Sequence, residues 1–264
     1  MFIIPAPNEI AFKIFNFPVY WYGITMASGI LAGIIVSNYL FNKINFPKHD
    51  TILEYAPLII LFGILGARIY FCCLSPAYYF SHPLEILDIR QGGLSIHGGI
   101  LGGLLSIIFV SYRTKVPFLG IIDALSCGTI LGQAIGRWGN YFNSEAYGIP
   151  VASQNWGLFV PFDKRVEEFA QYSLFHPTFL YESLLDLTAF FVLVWIYKKF
   201  GAKHCGLTFF AYLVIYSIIR FFIESLRLDS ALNVGTIPIA QIVSILLFLI
   251  GILGGIIIFK RKSH

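Results

Sequence analysis

The chain has 264 residues, of which 57% are hydrophobic and only 12% are charged, and its mean hydropathy is +0.76. Soluble domains are on average about 45–50% apolar and about 25% charged, so the composition excludes an ordinary soluble protein and indicates a polytopic membrane protein. The net charge is +4, and the four cysteines lack the spacing of a metal site, so metal-centred chemistry is not expected.

Seven apolar segments are each near the length of about 20 residues that a membrane-spanning helix needs. They run from about Val19 to Leu40, Ile52 to Leu74, Leu94 to Tyr112, Leu119 to Ile135, Pro177 to Tyr197, Leu207 to Leu226 and Ile237 to Phe259. The pattern predicts an all-α membrane protein with seven transmembrane helices, and no repeat or low-complexity tract divides it. We therefore expect residues 1–264 to form a single domain.

The distribution of Lys and Arg predicts the orientation of these spans. Ten of the 18 basic residues fall at alternate ends of the spans, namely Lys43, Lys48, Arg113, Lys115, Lys198, Lys199, Lys203, Lys260, Arg261 and Lys262. Basic residues are enriched in cytoplasmic loops, so we predict a periplasmic N-terminus and a cytoplasmic C-terminus. The long loop between spans four and five, Asn140 to Phe175, would then form a small periplasmic head. The first 16 residues lack the basic start of a secretory signal, so we expect the first span to direct insertion.

The fourth span runs into the densest polar cluster of the chain, Gly136 to Gly148. Arg137 has a fork of donors that matches phosphate, and Asn140 and Asn143 can donate to phosphate or glycerol oxygens. Glu145 would orient an arginine or accept a glycerol hydroxyl. Arginines within a membrane are costly, so we predict a site for a phosphate-bearing lipid head group. The alternative is an arginine that snorkels at a helix end.

The sixth span carries Tyr216, Arg220, Glu224 and Arg227, whose spacing places them on one helix face. This span rises toward the outer surface, so Arg220 is expected at the depth of Arg137. Two arginines at one depth can clamp one phosphate, with Glu224 holding Arg220 in place. The alternative is a structural Arg220–Glu224 pair that only neutralises itself.

The third span opens with a glycine-rich stretch, Gly92 to Gly99, that contains His97. A histidine can take a proton near neutral pH, so His97 is a candidate base as well as a candidate structural residue. Tyr22, at the outer end of the first span, fits an aromatic belt, and a phenol that lines the site is the alternative.

Five motifs resemble the prolipoprotein diacylglyceryl transferase family. The central stretch, Gly136-Arg137-x-Gly139-Asn140-x-x-Asn143-x-Glu145-x-x-Gly148, is similar to the signature of that family. Three more matches are Gly92-Gly93-Leu94-Ser95 with His97-Gly98-Gly99, His176-Pro177-x-x-Leu180-Tyr181-Glu182, and Arg220-Phe221-x-x-Glu224-x-x-Arg227. Together with Tyr20-Trp21-Tyr22-Gly23, they extend from the first span to the sixth.

The resemblance implies transfer of the diacylglyceryl group of phosphatidylglycerol to the lipobox cysteine of a prolipoprotein signal peptide, in the bacterial inner membrane. It implies no cofactor and no nucleic-acid partner. The catalytic candidates are His97, Arg137 and Arg220, with His97 either the base of the thiol or an organiser of the pocket. The substrate-binding candidates are Tyr22, Asn140, Asn143, Glu145, Gly148, Tyr216, Glu224 and Arg227.

Three other functions are alternatives for a membrane protein with intramembrane polar residues, and each lacks a feature that it would need or leaves one of the sequence unexplained. A transporter for an anionic substrate is the main alternative, but it predicts an inverted repeat that the sequence does not show. An intramembrane protease needs a Ser–His pair or paired aspartates, and no motif surrounds Asp123 or Asp186. A membrane scaffold gives no reason for arginine, asparagine, glutamate and histidine at one depth.

Overall fold

The computed structural model describes residues 2–44, 51–88, 92–153, 155–228, 233–235 and 237–260. Three residues used to predict the orientation, Lys48, Arg261 and Lys262, lie outside these ranges.

The chain is predominantly helical. Its helices are α1 (Trp21–Lys43), α2 (Thr51–Leu74), α3 (Pro76–Ser81), α4 (Ile96–Thr114), α5 (Phe118–Asn143), α6 (Thr178–Phe200), α7 (Leu207–Glu224) and α8 (Ile239–Lys260). Among the described residues, seven of these helices, all except α3, are long and apolar enough to cross a membrane. The prediction of an all-α polytopic membrane protein with seven spans is confirmed.

The fourth span is longer than the apolar pattern predicted. The helix does not end near Ile135 but continues through the polar stretch to Asn143. It stops where Ser144 and Ala146 adopt left-handed backbone angles, with φ of 53° and 56°. The polar side chains of this stretch do not break the helix, so Arg137 lies on a rigid element rather than in a loop.

Short strands accompany the helices. They are β1 (Phe2–Ile4), β2 (Ile10–Ile14), β3 (Phe17–Tyr20), β4 (Trp156–Phe159), β5 (Leu174–Phe175), β6 (Asn233–Val234) and β7 (Ile237–Pro238). β4 pairs with β5 antiparallel and with β1 parallel, in the order β1-β4-β5. The small head between α5 and α6 thus also includes the start of the chain, which the sequence did not predict.

This three-stranded sheet has its own apolar core. Buried Tyr147, Leu158, Val160 and Phe175 pack against Phe179 of α6. The head is therefore anchored on the helix that follows it, so the loop after α5 is fixed by burial of apolar side chains.

The chain divides into two compact units, the first comprising Met1–Ser37 with Asp123–His264 and the second Asn38–Ile122. In the first unit, α1 and α5 approach through glycines. A Cβ atom at Gly29 would lie 2.8 Å from the carbonyl oxygen of Gly132, and one at Gly33 would lie 2.7 Å from that of Gly128. Only glycine permits this approach, which fixes α5 against α1.

The second unit is organised by α2 and α4, which also meet through glycines. A Cβ atom at Gly66 would meet the carbonyl oxygen of Gly98 at 2.4 Å, and one at Gly102 would meet that of Phe62 at 2.1 Å. Each unit therefore contains helices whose backbones approach closely at glycines.

Candidate active site

Two arginines from different helices share one carboxylate in the first unit. Nη2 of Arg137 on α5 lies 2.5 Å from Oε1 of Glu182 on α6, and Nη1 of Arg220 on α7 lies 3.9 Å from the same oxygen. The Glu182 side chain is only 2% exposed, whereas those of Arg137 and Arg220 are 19% and 18% exposed. The predicted convergence of the two guanidinium groups is therefore present, with Glu182 between them.

Arg220 has a second carboxylate partner on its own helix. Its Nη2 atom lies 2.6 Å from Oε2 of Glu224, one turn further along α7. The predicted pairing of these two residues is confirmed. The pair is not isolated, because Nη1 of Arg220 also lies 3.9 Å from Oε1 of Glu182.

The guanidinium groups retain unused hydrogen-bonding capacity. Nε of Arg137 and Nη1 of Arg220 are buried and have no hydrogen-bond acceptor within the described part of the chain. Buried donors are normally satisfied, so donors left open at one place indicate room for an external acceptor. Chemically, the cluster suits an anion with several oxygens, since arginine donors form short, strong bonds to such groups.

The polar residues that follow Arg137 are ordered by contacts with one another. Nδ2 of Asn140 donates to Oε1 of Glu145 at 2.9 Å, and the Glu145 backbone N–H donates to the Asn140 carbonyl oxygen at 3.0 Å. These two bonds fold the chain back on the end of α5. The exposed Glu145 carboxylate thus accepts from an amide, and its role toward an arginine or a glycerol hydroxyl stays a prediction.

A cavity of about 810 Å³ lies beside this turn in the first unit. Three predicted site residues, Tyr22, Asn143 and Glu145, line it. Its wall also includes Glu9 and Lys164, whose Oε1 and Nζ atoms are 2.6 Å apart. The hydrogen bond to Glu9 raises the pKa of the Lys164 ammonium, which stays charged at neutral pH. Neither of these two rim residues was predicted from the sequence, since isolated surface charges carry no pattern.

Gly148 lies where three backbone segments meet. Its N–H donates to the His176 carbonyl oxygen at 2.9 Å, and its backbone bridges to Arg227. A Cβ atom there would lie 2.9 Å from Cβ of His176, the carbonyl oxygen of Leu226 and Cγ2 of Thr178. The position requires glycine for close packing, and a role of Gly148 or Arg227 in lipid binding stays a prediction.

The other two candidates have aromatic neighbours. The Tyr216 ring stacks on that of Tyr212, with centroids 5.7 Å apart, on the face of α7 that carries Arg220. His97 belongs to the second unit, where it is exposed near the start of α4 and its ring centroid is 6.0 Å from that of Tyr70. Its role as a base stays a prediction.

Glu182 is the main residue that the sequence did not assign to the site. A signal was present, because it closes the motif His176-Pro177-x-x-Leu180-Tyr181-Glu182 at the start of a span. A carboxylate buried to this degree needs a cationic partner. Which cation pairs with it depends on how α5, α6 and α7 pack, and this packing is not readable from one helix.

The fold and the cluster together define a polytopic membrane protein whose helices hold arginines and carboxylates at one buried point. Comparison with known proteins narrows this class. The model of the family described as prolipoprotein diacylglyceryl transferase matches residues 9–257. The chain therefore belongs to the prolipoprotein diacylglyceryl transferase family.

Individual relatives cover almost the whole chain. Proteins named phosphatidylglycerol--prolipoprotein diacylglyceryl transferase from Trichormus variabilis and Synechococcus elongatus are 37% and 39% identical over 99% of this chain. The chain covers 93% and 90% of them, respectively. One with the same name from Bacillus cereus is 38% identical over 98% of this chain and 94% of its own length.

Proposed function

We propose that this protein transfers the diacylglyceryl group of phosphatidylglycerol to the lipobox cysteine of prolipoproteins, the first step of bacterial lipoprotein maturation. The names of the relatives support both substrates. One structural observation supports the chemistry, namely that Arg137 and Arg220 reach the same carboxylate oxygen of Glu182. The alternative, a transporter for an anionic substrate, has no support. All 264 residues act as one catalytic domain in this proposal.

The reaction is a displacement at carbon. The cysteine thiolate attacks the carbon of the diacylglyceryl group that bears the phosphate ester. A C–S bond forms at this carbon, and its C–O bond to phosphate breaks. The departing group is glycerol phosphate, whose negative charge rises as the bond breaks. Arg137 and Arg220 stabilise this charge, since donors aimed at developing charge act most strongly where water is excluded. His97 is either the base that takes the proton of the thiol or an organiser of the pocket.

The remaining candidates shape the head-group site. Asn143, Glu145 and Tyr22 line the cavity of about 810 Å³, which offers both hydroxyl and amide groups to a glycerol head group. Asn140 fixes Glu145 through its amide, and Gly148 and Arg227 join the loop after α5 to the end of α7. Glu224 orients Arg220, and Tyr216 lines the wall next to it.

The protein lies in the inner membrane with its head and N-terminus in the periplasm and its C-terminus in the cytoplasm. The basic residues Lys43, Arg113, Lys198 and Lys260 support this orientation, because they fall at alternate ends of the spans along the chain, and basic residues are enriched on the cytoplasmic side. The acceptor cysteine of a translocating signal peptide is then on the same side as the head.

The test is a transfer assay with purified protein in detergent or vesicles. Phosphatidylglycerol and a lipobox peptide are supplied, and mass spectrometry measures the diacylglyceryl mass added to the cysteine. We expect Arg137→Ala and Arg220→Ala each to lower turnover at least about 100-fold, the scale seen when a donor to a developing anion is removed. Lys164→Met serves as a matched control that removes a cation from the cavity rim, and it should keep at least a third of the activity.

Near wild-type turnover in both arginine variants would show that the phosphate clamp is wrong. A peptide with Ser in place of Cys should receive no lipid. For the histidine, His97→Gln should change the pH–rate profile, and an unchanged profile in an active variant would exclude the role of base.

A further inference from the structure

We propose that Glu182 is a displaceable counter-ion that holds the two arginines while the site is empty and competes with glycerol phosphate for them after the reaction. This inference rests on the proposed function. Glu182 is a positioning residue in this role, since it acts on the arginines and not on the lipid.

The position of Glu182 is fixed independently of the arginines. The neighbouring Ser183 hydroxyl donates to the Ala134 carbonyl oxygen at 2.8 Å and accepts from Nε1 of Trp138 at 3.2 Å. These bonds attach the turn of α6 that carries Glu182 to the turn of α5 that carries Arg137. The Thr178 hydroxyl at the start of α6 donates to the Ala146 carbonyl oxygen, which fixes the same helix end to the loop. The carboxylate is therefore presented at a set place.

The charges explain why such a residue is needed. Two guanidinium groups within 3.9 Å of one oxygen repel each other in a medium of low dielectric constant. A buried charge without a partner is strongly destabilising, so the empty site needs an anion there. Among the described residues, Glu182 lies within 3.9 Å of both groups, and Glu224 forms an ion pair with Arg220.

The same geometry makes Glu182 a competitor of the product. Its Oε1 atom lies 2.5 Å from Nη2 of Arg137 and 3.9 Å from Nη1 of Arg220, so it occupies the place between the arginines that a phosphate bound by both would take. The lipid phosphodiester carries one negative charge, but a free phosphate monoester carries about −1.5 to −2 at pH 7. The product would therefore be held more tightly than the substrate. A carboxylate that returns to both arginines weakens the hold on glycerol phosphate and releases it.

The experiment compares steady-state kinetics of the wild type and Glu182→Gln, with glycerol phosphate added as an inhibitor. Gln keeps the size of the side chain and removes its charge. We expect kcat to fall at least tenfold, KM for phosphatidylglycerol not to rise, and the inhibition constant of glycerol phosphate to fall at least tenfold. Glu224→Gln is the matched control, since it also removes a carboxylate from Arg220 but leaves the shared one. Its inhibition constant should change less than threefold.

The proposal would be overturned by a Glu182→Gln variant that loses activity while the inhibition constant of glycerol phosphate stays the same or rises. Such a result is expected if the carboxylate is merely structural, because its loss would then disturb both arginines and weaken anion binding. If this variant does not fold, Glu182→Asp decides. The side chain of this variant is one methylene shorter, so its carboxylate reaches the two arginines less well than that of Glu182. Glycerol phosphate should therefore inhibit Glu182→Asp at least threefold more strongly than the wild type. Unchanged or weaker inhibition of a folded Glu182→Asp overturns the proposal.

Failure of this inference and failure of the proposed function give different results. If the wild type adds no diacylglyceryl mass to the lipobox peptide, the proposed function is wrong. If the wild type transfers lipid and Arg137→Ala does not, but Glu182→Gln shows no stronger product inhibition, only the role of Glu182 is wrong.

Discussion

Arg68 and the pair Arg137–Arg220 are arginines of spanning helices, yet they use their donors in opposite ways. Arg68 on α2 is buried and donates to the carbonyl oxygens of Ile86, Gly92, Gly93 and Glu85, at distances of 2.5–3.1 Å. The loop before α4 is folded around it. Arg137 and Arg220 contact carboxylates instead, and two of their buried nitrogens have no acceptor among the described residues.

Under the proposed function, this difference separates a structural from a functional arginine. Arg68 uses four hydrogen bonds on backbone oxygens of one loop, so few of its five N–H donors remain for a ligand. A guanidinium group paired with a carboxylate keeps its charge available in this proposal, because another anion can take the place of the carboxylate. Cost of burial alone does not distinguish the two cases, since all three arginines are largely buried.

The largest effect on turnover should come from replacing the arginines of the cluster, Arg137 and Arg220, by lysine, and the same change at Arg68 is the comparison. Lysine keeps the charge but loses the planar fork of donors. We expect Arg137→Lys and Arg220→Lys to lower turnover by about 100-fold with a thermal midpoint close to that of the wild type. Arg68→Lys should lower the thermal midpoint and, in the folded fraction, keep turnover within about threefold, since a structural change leaves transition-state contacts in place. A folded Arg68→Lys as inactive as Arg137→Lys would break the distinction.

A smaller effect is expected at Glu224. Its carboxylate lies 2.6 Å from Arg220, and a hydrogen bond to a charged group contributes about 1.5–3 kcal/mol. Glu224→Gln should therefore lower kcat/KM by about tenfold, measured in the lipobox transfer assay. Glu167→Gln, a change in the head away from the cluster, is the control. Equal activities of the two variants would show that Arg220 does not depend on Glu224.

The next effect concerns stability in the loop that surrounds Arg68. Gly92 and Gly93 both have positive φ angles, of 89° and 74°. A Cβ atom at Gly93 would lie 2.4 Å from Nη1 of Arg68, whereas one at Gly92 would meet nothing within 4 Å. Both alanine variants carry the backbone strain, so their difference reports the contacts with Arg68 and with the Phe71 ring, whose Cε1 atom would lie 2.8 Å from the new Cβ atom. Gly93→Ala should be less stable than Gly92→Ala by about 1–3 kcal/mol in denaturant unfolding. Equal stabilities would contradict the tight fit around Arg68.

The smallest effect should come from the Glu9–Lys164 pair. Both side chains are more than a third exposed, and exposed ion pairs contribute about 0–1 kcal/mol. Glu9→Gln should shift the free energy of unfolding by less than about 1 kcal/mol. A larger shift in denaturant unfolding would mean that the rim of the cavity is held by this pair.

The spans were predictable because twenty apolar residues in a row have few alternative structures. The end of α5 was not predictable from the sequence, since Gly136 and Gly139 resemble helix breakers unless α1 packs against them. The pairing of β1 with β4 joins residues about 150 positions apart, and three residues carry too little pattern to predict it. The convergence of Arg137 and Arg220 was predicted from depth alone. Their shared partner Glu182 was not predicted, because the pairing depends on the mutual rotation of three helices.

The central claim is that Arg137 and Arg220 bind one phosphate, and the most direct measurement is a structure determined with glycerol phosphate or a non-transferable phosphatidylglycerol analogue. The account predicts a single phosphate group with oxygens within hydrogen-bonding distance of both guanidinium groups, and a Glu182 carboxylate further from Arg220 than in the empty site. A phosphate that contacts only one of the two arginines, or that binds away from both, would contradict it.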